Sequence, residues 1–384
     1  MRIALVAGEA SGDLLGAGLI RAIKARIPEA KFEGVAGPAM IEAGCERLED
    51  AEALAVMGLI EPLAEIPRLL KLRRSLLRRW RASPPDVFVG IDAPDFNFGL
   101  EKALRKSGIL TVHYVSPSIW AWRAGRIKTV KEATDRVLCL LPFEKTLYDA
   151  QGIDAVFVGH PKADSLAIDI DAESARRMLN LEGKRVVAVL PGSRSNEVKR
   201  LGPIFAEAAA LLSAEDDNLR FVTPVASAKL RPLIEQQLQD AGVRDLFELI
   251  DGDSIEAMSA AEVVLLASGT AALESALLCK PTVAAYKIAE TSARIVQLFK
   301  LIKAPYFTLP NLLTKEPLVP ELIQWAVTPQ AVAAEVYAML NDDDRRAAIS
   351  REFAKLRTEL ALDADQRAAE AVIDLVTDAS STKK

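Results

Sequence analysis

The sequence predicts an α/β protein of two Rossmann-like, doubly wound domains facing one another across a cleft, with helices at the C-terminus. Three observations predict it. The chain opens on an apolar run, Arg2–Ala7, that ends at the turn 8–13 and passes into a helical pattern. Short β-branched runs then alternate with helical or loop segments. After residue 161 the apolar pattern lapses, and a second strand-turn unit begins at Arg185–Leu190.

The elements follow in order. The first helix carries Leu15, Leu19, Ile20 and Ile23 on one face. Strands are expected at 86–91, 111–115, 136–140 and 155–158, separated by segments such as 97–106. The lapse at 162–171 divides the chain into a domain 1–165 and a domain 172–345. Strands near 221–225, 247–250, 263–267 and 282–285 continue the second domain. Residues 346–384 form terminal helices, with packing back on the first domain as one option, and the polar tail 380–384 should fray.

Composition narrows the classes. Half of the 384 residues are apolar, enough for two cores. A formal net charge of −5 gives no general attraction to nucleic acid. Cys45, Cys139 and Cys279 are odd in number and far apart, so they suggest neither a disulfide framework nor a metal site, and a reducing cytosolic setting fits. No apolar run reaches membrane-spanning length, so any membrane contact is expected to be peripheral.

Loops at the carboxyl ends of strands are where a doubly wound fold binds its ligands. In the second domain, Ser268-Gly269-Thr270 turns the apolar strand Val263–Ala267 into a helix whose free N–H groups favour a phosphate. Glu274, about one turn on, can accept hydrogen bonds from two ribose hydroxyls. The alternative is a plain turn capped by Ser268 or Thr270, with Glu274 solvated. Pro191-Gly192-Ser193-Arg194 is a turn of the same kind, and Arg194 can neutralise a diphosphate as it leaves.

In the first domain, Asp92 and Asp95 follow a strand end, with Pro94 fixing the turn between them. Asp92 is the candidate general base, and Asp95 is expected to cap the next helix. The turn 8–13 lacks the G-x-G-x-x-G spacing, which disfavours NAD, and no cofactor is expected. Glu9 and Ser11 are candidate acceptor contacts, with Asp13 capping the first helix. His113 and His160 stand at strand ends as candidate cleft-lining residues.

Asp251-Gly252-Asp253 has the D-x-D form of some metal-diphosphate sites. Its position before Ser254 fits a turn and helix cap better, and no metal is expected. The acid-free stretch 68–81 places Leu69, Leu72, Leu76 and Trp80 on one helical face beside basic residues such as Arg73. That face can pack into the core, or it can lie on an anionic membrane surface with Met57-Gly58-Leu59-Ile60 as an apolar lip.

Taken together, the segment 6–13, the segment 90–97, His113-Tyr114-Val115-Ser116-Pro117-Ser118-Ile119-Trp120-Ala121-Trp122, the segment 191–194, the segment 268–274 and Leu309-Pro310-Asn311-Leu312-Leu313 closely resemble the lipid-A-disaccharide synthases over residues 1 to about 324. The resemblance implies a GT-B-like fold and an inverting glycosyltransferase. The implied reaction joins UDP-2,3-diacylglucosamine to 2,3-diacylglucosamine 1-phosphate, giving the β-1,6-linked lipid A disaccharide 1-phosphate and UDP. It matches Asp92 to the family's candidate acid, and Arg194, Glu274 and Asn311 to its donor-site residues. Acylated substrates favour the membrane reading of the basic helix, at the cytoplasmic face of the inner membrane, and a homodimer is compatible with it. One departure stands out: Thr314-Lys315-Glu316-Pro317 replaces the small residues and arginine that the family commonly shows. The competing readings are a UDP-N-acetylglucosamine 2-epimerase-like isomerase and a non-catalytic nucleotide-sugar-binding protein.

Overall fold

A computed structural model describes residues 1–54, 62–117, 124–166, 171–252, 254–290, 293–294 and 305–382. The apolar lip 57–60, the segment 118–122 of the tryptophan motif, and Asp253 lie outside the described residues. The chain divides into two compact units: Met1–Asp164 together with Leu360–Lys384, and Ser165–Glu359.

The first unit is built on a seven-stranded sheet. Its strands are β1 (Arg2–Ala7), β2 (Lys31–Ala36), β3 (Cys45–Asp50), β4 (Val87–Ile91), β5 (Leu110–Tyr114), β6 (Arg136–Cys139) and β7 (Ala155–Phe157), in the order β3-β2-β1-β4-β5-β6-β7. All neighbours are parallel. Helices cover both faces, which is why β1 is apolar at successive positions rather than alternately. Ile3, Leu5 and Ala7 enter one core with residues of the helices Ala10–Arg26 and Ala364–Thr382. Ala4 and Val6 enter another with the helices Pro62–Ala82 and Pro94–Arg105.

The second unit repeats the plan with β8 (Arg185–Leu190), β9 (Leu219–Val225), β10 (Phe247–Asp251), β11 (Val263–Ala267), β12 (Thr282–Tyr286) and β13 (Glu321–Ile323), in the order β10-β9-β8-β11-β12-β13. Each sheet therefore reverses its strand order once, at β1/β4 and at β8/β11. Ligands bind such sheets at the carboxyl ends of the strands flanking the reversal.

The basic helix Pro62–Ala82 corrects an expectation. Leu76 and Trp80 are buried core residues, packed with Phe88 and Leu100, and Leu69 and Leu72 pack against the same cluster. The Trp80 indole N–H donates to Glu33 Oε1 at 2.9 Å, satisfying its one polar atom. Arg73 is half-buried and reaches toward Gly99, where an added Cβ would lie 2.3 Å from its Nη1. The leucine face is thus core and does not meet a membrane. What the helix leaves exposed is the opposite, cationic face, including Lys71, Arg74 and Arg78.

Candidate active site

In the second unit the turns after β8 and β11 come together at the reversal point. They line a pocket of about 420 Å³ whose walls include Ser193, Arg194, Ser268, Gly269, Thr270 and Glu274. Every donor-site residue expected from sequence except Asn311 lies on it.

The two turns are held differently. Gly192 has φ +123, and an added Cβ would meet Glu197 at 2.6 Å, so only glycine fits there. Glu197, in the first turn of the helix Ser195–Glu215, accepts the backbone N–H groups of Ser193 and Arg194 at 3.2 and 3.3 Å. Its other oxygen pairs with the Arg194 guanidinium at 3.0 Å. Arg194 is 82% exposed in that pair, and an exposed ion pair contributes less than about 1 kcal/mol. The guanidinium can therefore exchange Glu197 for a diphosphate at little cost. In the second turn, Gly269 precedes the helix Thr270–Leu277, and an added Cβ would meet nothing within 4 Å. The helix N-terminus faces open space, and its free N–H groups suit an anion.

Ser268 anchors this turn. Its N–H donates to Ala285 O at 3.0 Å and its hydroxyl to Phe307 O at 3.3 Å. Behind Phe307 lies a network that sequence reasoning missed. Glu321 accepts from the N–H groups of Phe307 and Thr308, from the Thr308 hydroxyl and from Asn311 Nδ2, all within 3.0 Å. Asn311 is buried; its Nδ2 also donates to Val319 O at 2.8 Å, and its Oδ1 accepts from Leu318 and Val319 N–H at 2.8 and 2.9 Å. Both donors and both lone pairs are thereby used within the protein. Asn311 has no hydrogen-bonding capacity left for a ligand and fixes the loop on which Ser268 leans. Thr314 closes the same loop, its one hydroxyl proton lying between Pro310 O and Glu316 O, each 2.8 Å from Oγ1.

In the first unit, Asp92 sits at the carboxyl end of β4 with φ +51, followed by Ala93 at φ +42. Two successive non-glycine residues in the left-handed region cost on the order of 1–3 kcal/mol each. The turn is held by Asp92 N–H donating to Tyr114 O at 2.8 Å and by Asn97 Nδ2 donating to Asp92 O at 2.8 Å. The Asp92 carboxyl is half-buried. Asp95 does not cap the helix Pro94–Arg105, whose N-cap is Ala93 without a side-chain bond; it pairs with Arg126. Gly8, after β1, packs against Ala93, where an added Cβ would lie 2.6 Å from Ala93 Cβ. Glu9 and Ser11 are exposed at this end of the sheet.

The roles expected of Asp13 and His113 change, and His160 gains structural partners. Asp13 is buried and accepts the N–H groups of Gly37, Ala39 and Met40 at 2.8–3.1 Å, so it caps the helix Pro38–Glu42 rather than its own. His113 is fully buried, paired through Nδ1 with the equally buried Glu101 at 2.7 Å, and lines no open surface. His160 accepts the N–H of Lys162 on Nδ1 at 3.2 Å and donates its own backbone N–H to Leu360 O. Burial pushes its pKa down to about 4, with Lys162 adding to the effect, so it is a neutral structural acceptor near neutrality. Asp251 of the D-x-D triplet is exposed and pairs with Arg231 at 2.7 Å.

Two doubly wound units, one bearing an anion-receptive pocket at its reversal point, define the two-domain α/β class to which GT-B glycosyltransferases belong. The fold is shared with a UDP-GlcNAc 2-epimerase from Neisseria meningitidis solved with UDP-GlcNAc bound (TM-score 0.61, 14% identity, 98% of this chain and 100% of that one). It is also shared with a glycosyltransferase from Rickettsia africae (TM-score 0.61, 11% identity, 98% of each chain). Sequence separates these possibilities. The family model for lipid-A-disaccharide synthetase matches residues 3–375. Lipid-A-disaccharide synthases from Alkalilimnicola ehrlichii and Pseudomonas aeruginosa are each 48% identical, covering 97% and 98% of this chain and 98% of their own lengths. The chain belongs to the lipid-A-disaccharide synthase family and is a glycosyltransferase; the epimerase likeness is one of fold.

Proposed function

We propose that the pocket at β8/β11 holds the UDP moiety of UDP-2,3-diacylglucosamine, and that Asp92 takes the proton from the 6-hydroxyl of 2,3-diacylglucosamine 1-phosphate as that oxygen attacks the donor's C1. Attack with inversion gives the β-1,6-linked disaccharide 1-phosphate and UDP. Charge grows on the departing diphosphate as the glycosidic bond breaks. Arg194 and the N–H groups at the start of the helix Thr270–Leu277 offset it. Glu274 receives the ribose hydroxyls, while Glu9 and Ser11 contact the acceptor.

The observation that carries this reading is the pocket itself, which gathers Ser193, Arg194, Ser268, Gly269, Thr270 and Glu274 from two separate turns. Asp92 supports it as an acid on a strained, rigidly held turn at the corresponding point of the other sheet. We also place the enzyme at the cytoplasmic face of the inner membrane, touching anionic lipid through the exposed Lys71, Arg74 and Arg78. Diacylated sugars are costly to extract into water, which favours a surface-bound enzyme.

The test follows disaccharide formation from both lipid substrates, alongside UDP binding by calorimetry. Asp92→Asn should abolish turnover, by 10³-fold or more as an order-of-magnitude expectation, while UDP affinity stays unchanged. Full turnover by that variant would remove Asp92 as the base. Arg194→Ala should lower both UDP affinity and turnover.

A further inference from the structure

Beneath the Asp92 turn lies a polar cluster that the reaction as described does not use. Asn97 and Glu101 are four residues apart on the helix Pro94–Arg105 and point to the same side, toward β4 and β5. His113, on β5, stands beside Gly90 of β4 in the parallel register. Asn97, Glu101 and His113 are each wholly buried. Gly90 makes the space: an added Cβ there would lie 2.1 Å from Glu101 Oε1 and 3.0 Å from Asn97 Cβ. The carboxyl and the amide therefore fill one slot beside the strand.

The bonding within this slot is directional. Glu101 Oε1 and His113 Nδ1 are 2.7 Å apart, a contact that requires one proton between them. Phe98 packs against the imidazole in a tilted contact, 4.5 Å between ring centroids and 38° between planes, and limits its movement. Above the pair, Asn97 Nδ2 donates to Asp92 O at 2.8 Å and reaches Ile91 O and Val6 O at 3.4 Å each. These carbonyls belong to the ends of β1 and β4 and to the left-handed residue itself. Asn97 Oδ1, Glu101 Oε2 and His113 Nε2 are buried with no hydrogen-bond partner. An apolar cluster of the same shape would avoid that cost, so stability does not account for these residue types.

We infer that Asn97, Glu101 and His113 act together as positioning residues for Asp92: Asn97 holds the strained Asp92 backbone in its left-handed conformation, and the proton-sharing pair fills the slot beside Gly90 that Asn97 shares. This rests on Asp92 being the base. None of the three touches substrate. A misplacement of about 1 Å at a reacting group can cost 10²-fold in rate, so the expected effect falls on turnover and not on binding.

The experiment measures kcat and KM for both lipid substrates, with circular dichroism and UDP binding as controls for folding. Asn97→Ala is expected to lower kcat about 10- to 100-fold, with both KM values within about twofold of the parent. Glu101→Gln keeps the shape of the side chain but replaces the shared proton with His113 by an ordinary amide hydrogen bond. It should lower kcat about three- to tenfold with KM unchanged, and it carries the test if Asn97→Ala does not fold. Placed in the Asp92→Asn background, either change should lower the residual rate by less than about twofold, because its route of action is already gone. Unchanged kcat in the folded variants, a rise in KM with kcat retained, or a loss that multiplies fully with Asp92→Asn would overturn the proposal. An active Asp92→Asn enzyme would instead overturn the assignment of the base.

Discussion

At the scale of single residues, hydrogen-bonding capacity separates residues that can meet a ligand from those that shape the site. Asn311 has no capacity left, so its substitution should act through the fold. Asn311→Ala strands the N–H groups of Leu318 and Val319 and the Val319 carbonyl, and removes one of three donors to Glu321 Oε1. The cost should be about 2–4 kcal/mol, read as a lower urea midpoint. Weaker UDP binding with an unchanged midpoint would show that Asn311 reaches the ligand after all. His160 gives a pH prediction. Its folded pKa of about 4 lies below the ordinary value of 6.5, so the unfolded chain takes up the proton first as pH falls. Its contribution is present in full above pH 6.5 and is lost between 6.5 and about 4, amounting to about 3 kcal/mol. His160→Gln should flatten the stability profile across that window, measured by urea denaturation at a series of pH values.

At the scale of elements, the helix Pro62–Ala82 shows what periodicity decides and what it leaves open. Spacing placed Leu69, Leu72, Leu76 and Trp80 on one face, but a sheet and a bilayer both accept such a face. The deciding information lies elsewhere in the chain, in Phe88, Leu100 and the Glu33 carboxylate that receives the indole N–H. Replacing Leu72 and Leu76 by serine should therefore destabilise the first unit by about 3 kcal/mol or more, lowering its thermal midpoint. Replacing Lys71, Arg74 and Arg78 by glutamine should leave that midpoint unchanged. It should also weaken binding to vesicles containing anionic lipid in a salt-dependent way, at about 1 kcal/mol per charge. Equal vesicle binding by the triple variant and the parent would move the membrane contact off this face. Strands were legible where they are apolar at successive positions, as β1, β4 and β11 are; the interior strand β2, Lys-Phe-Glu-Gly-Val-Ala, is interrupted by Lys31, Glu33 and Gly34 and was not. The edge strand β3, Cys-Glu-Arg-Leu-Glu-Asp, carries four charges in six residues and gave no such signal, and the three-residue β13 was too short to give one. The same limit applies at the site. Glycine-bearing turns after apolar strands exposed the pocket at β8/β11, whereas Glu321 and Glu101 bond to partners distant in sequence and carry no local motif.

At the scale of the whole molecule, the chain leaves its first unit after Asp164 and returns to it at Leu360, so the last helix belongs to the core laid down first. Ala368, Ala369, Ala371 and Val372 of the helix Ala364–Thr382 are buried with Ile3, Leu5, Leu19 and Ile23. The Asp164 carboxylate accepts the N–H groups of Asp363 and Ala364 at 2.9 and 2.7 Å, and Arg136 Nη1 donates to Ala371 O at 2.7 Å. Ending the chain at Leu360 would expose three buried alanine methyls and a valine side chain from this helix, together with Ala364, and the surface they cover. At about 0.8 kcal/mol per buried carbon, the helix side alone is worth about 5 kcal/mol. A typical domain has only about 5–15 kcal/mol of net stability. The truncated protein should therefore lose cooperative folding of the first unit, and disaccharide synthesis with it. The second unit, whose sheet and β8/β11 pocket use no residue beyond 359, should keep its own transition. Two measurements check this: limited proteolysis should leave a resistant fragment close to 165–359, and calorimetry should find UDP affinity within about threefold of the full chain, a difference of less than 1 kcal/mol. A truncated enzyme that still makes the disaccharide would show that the terminal helix rests on a core already complete without it.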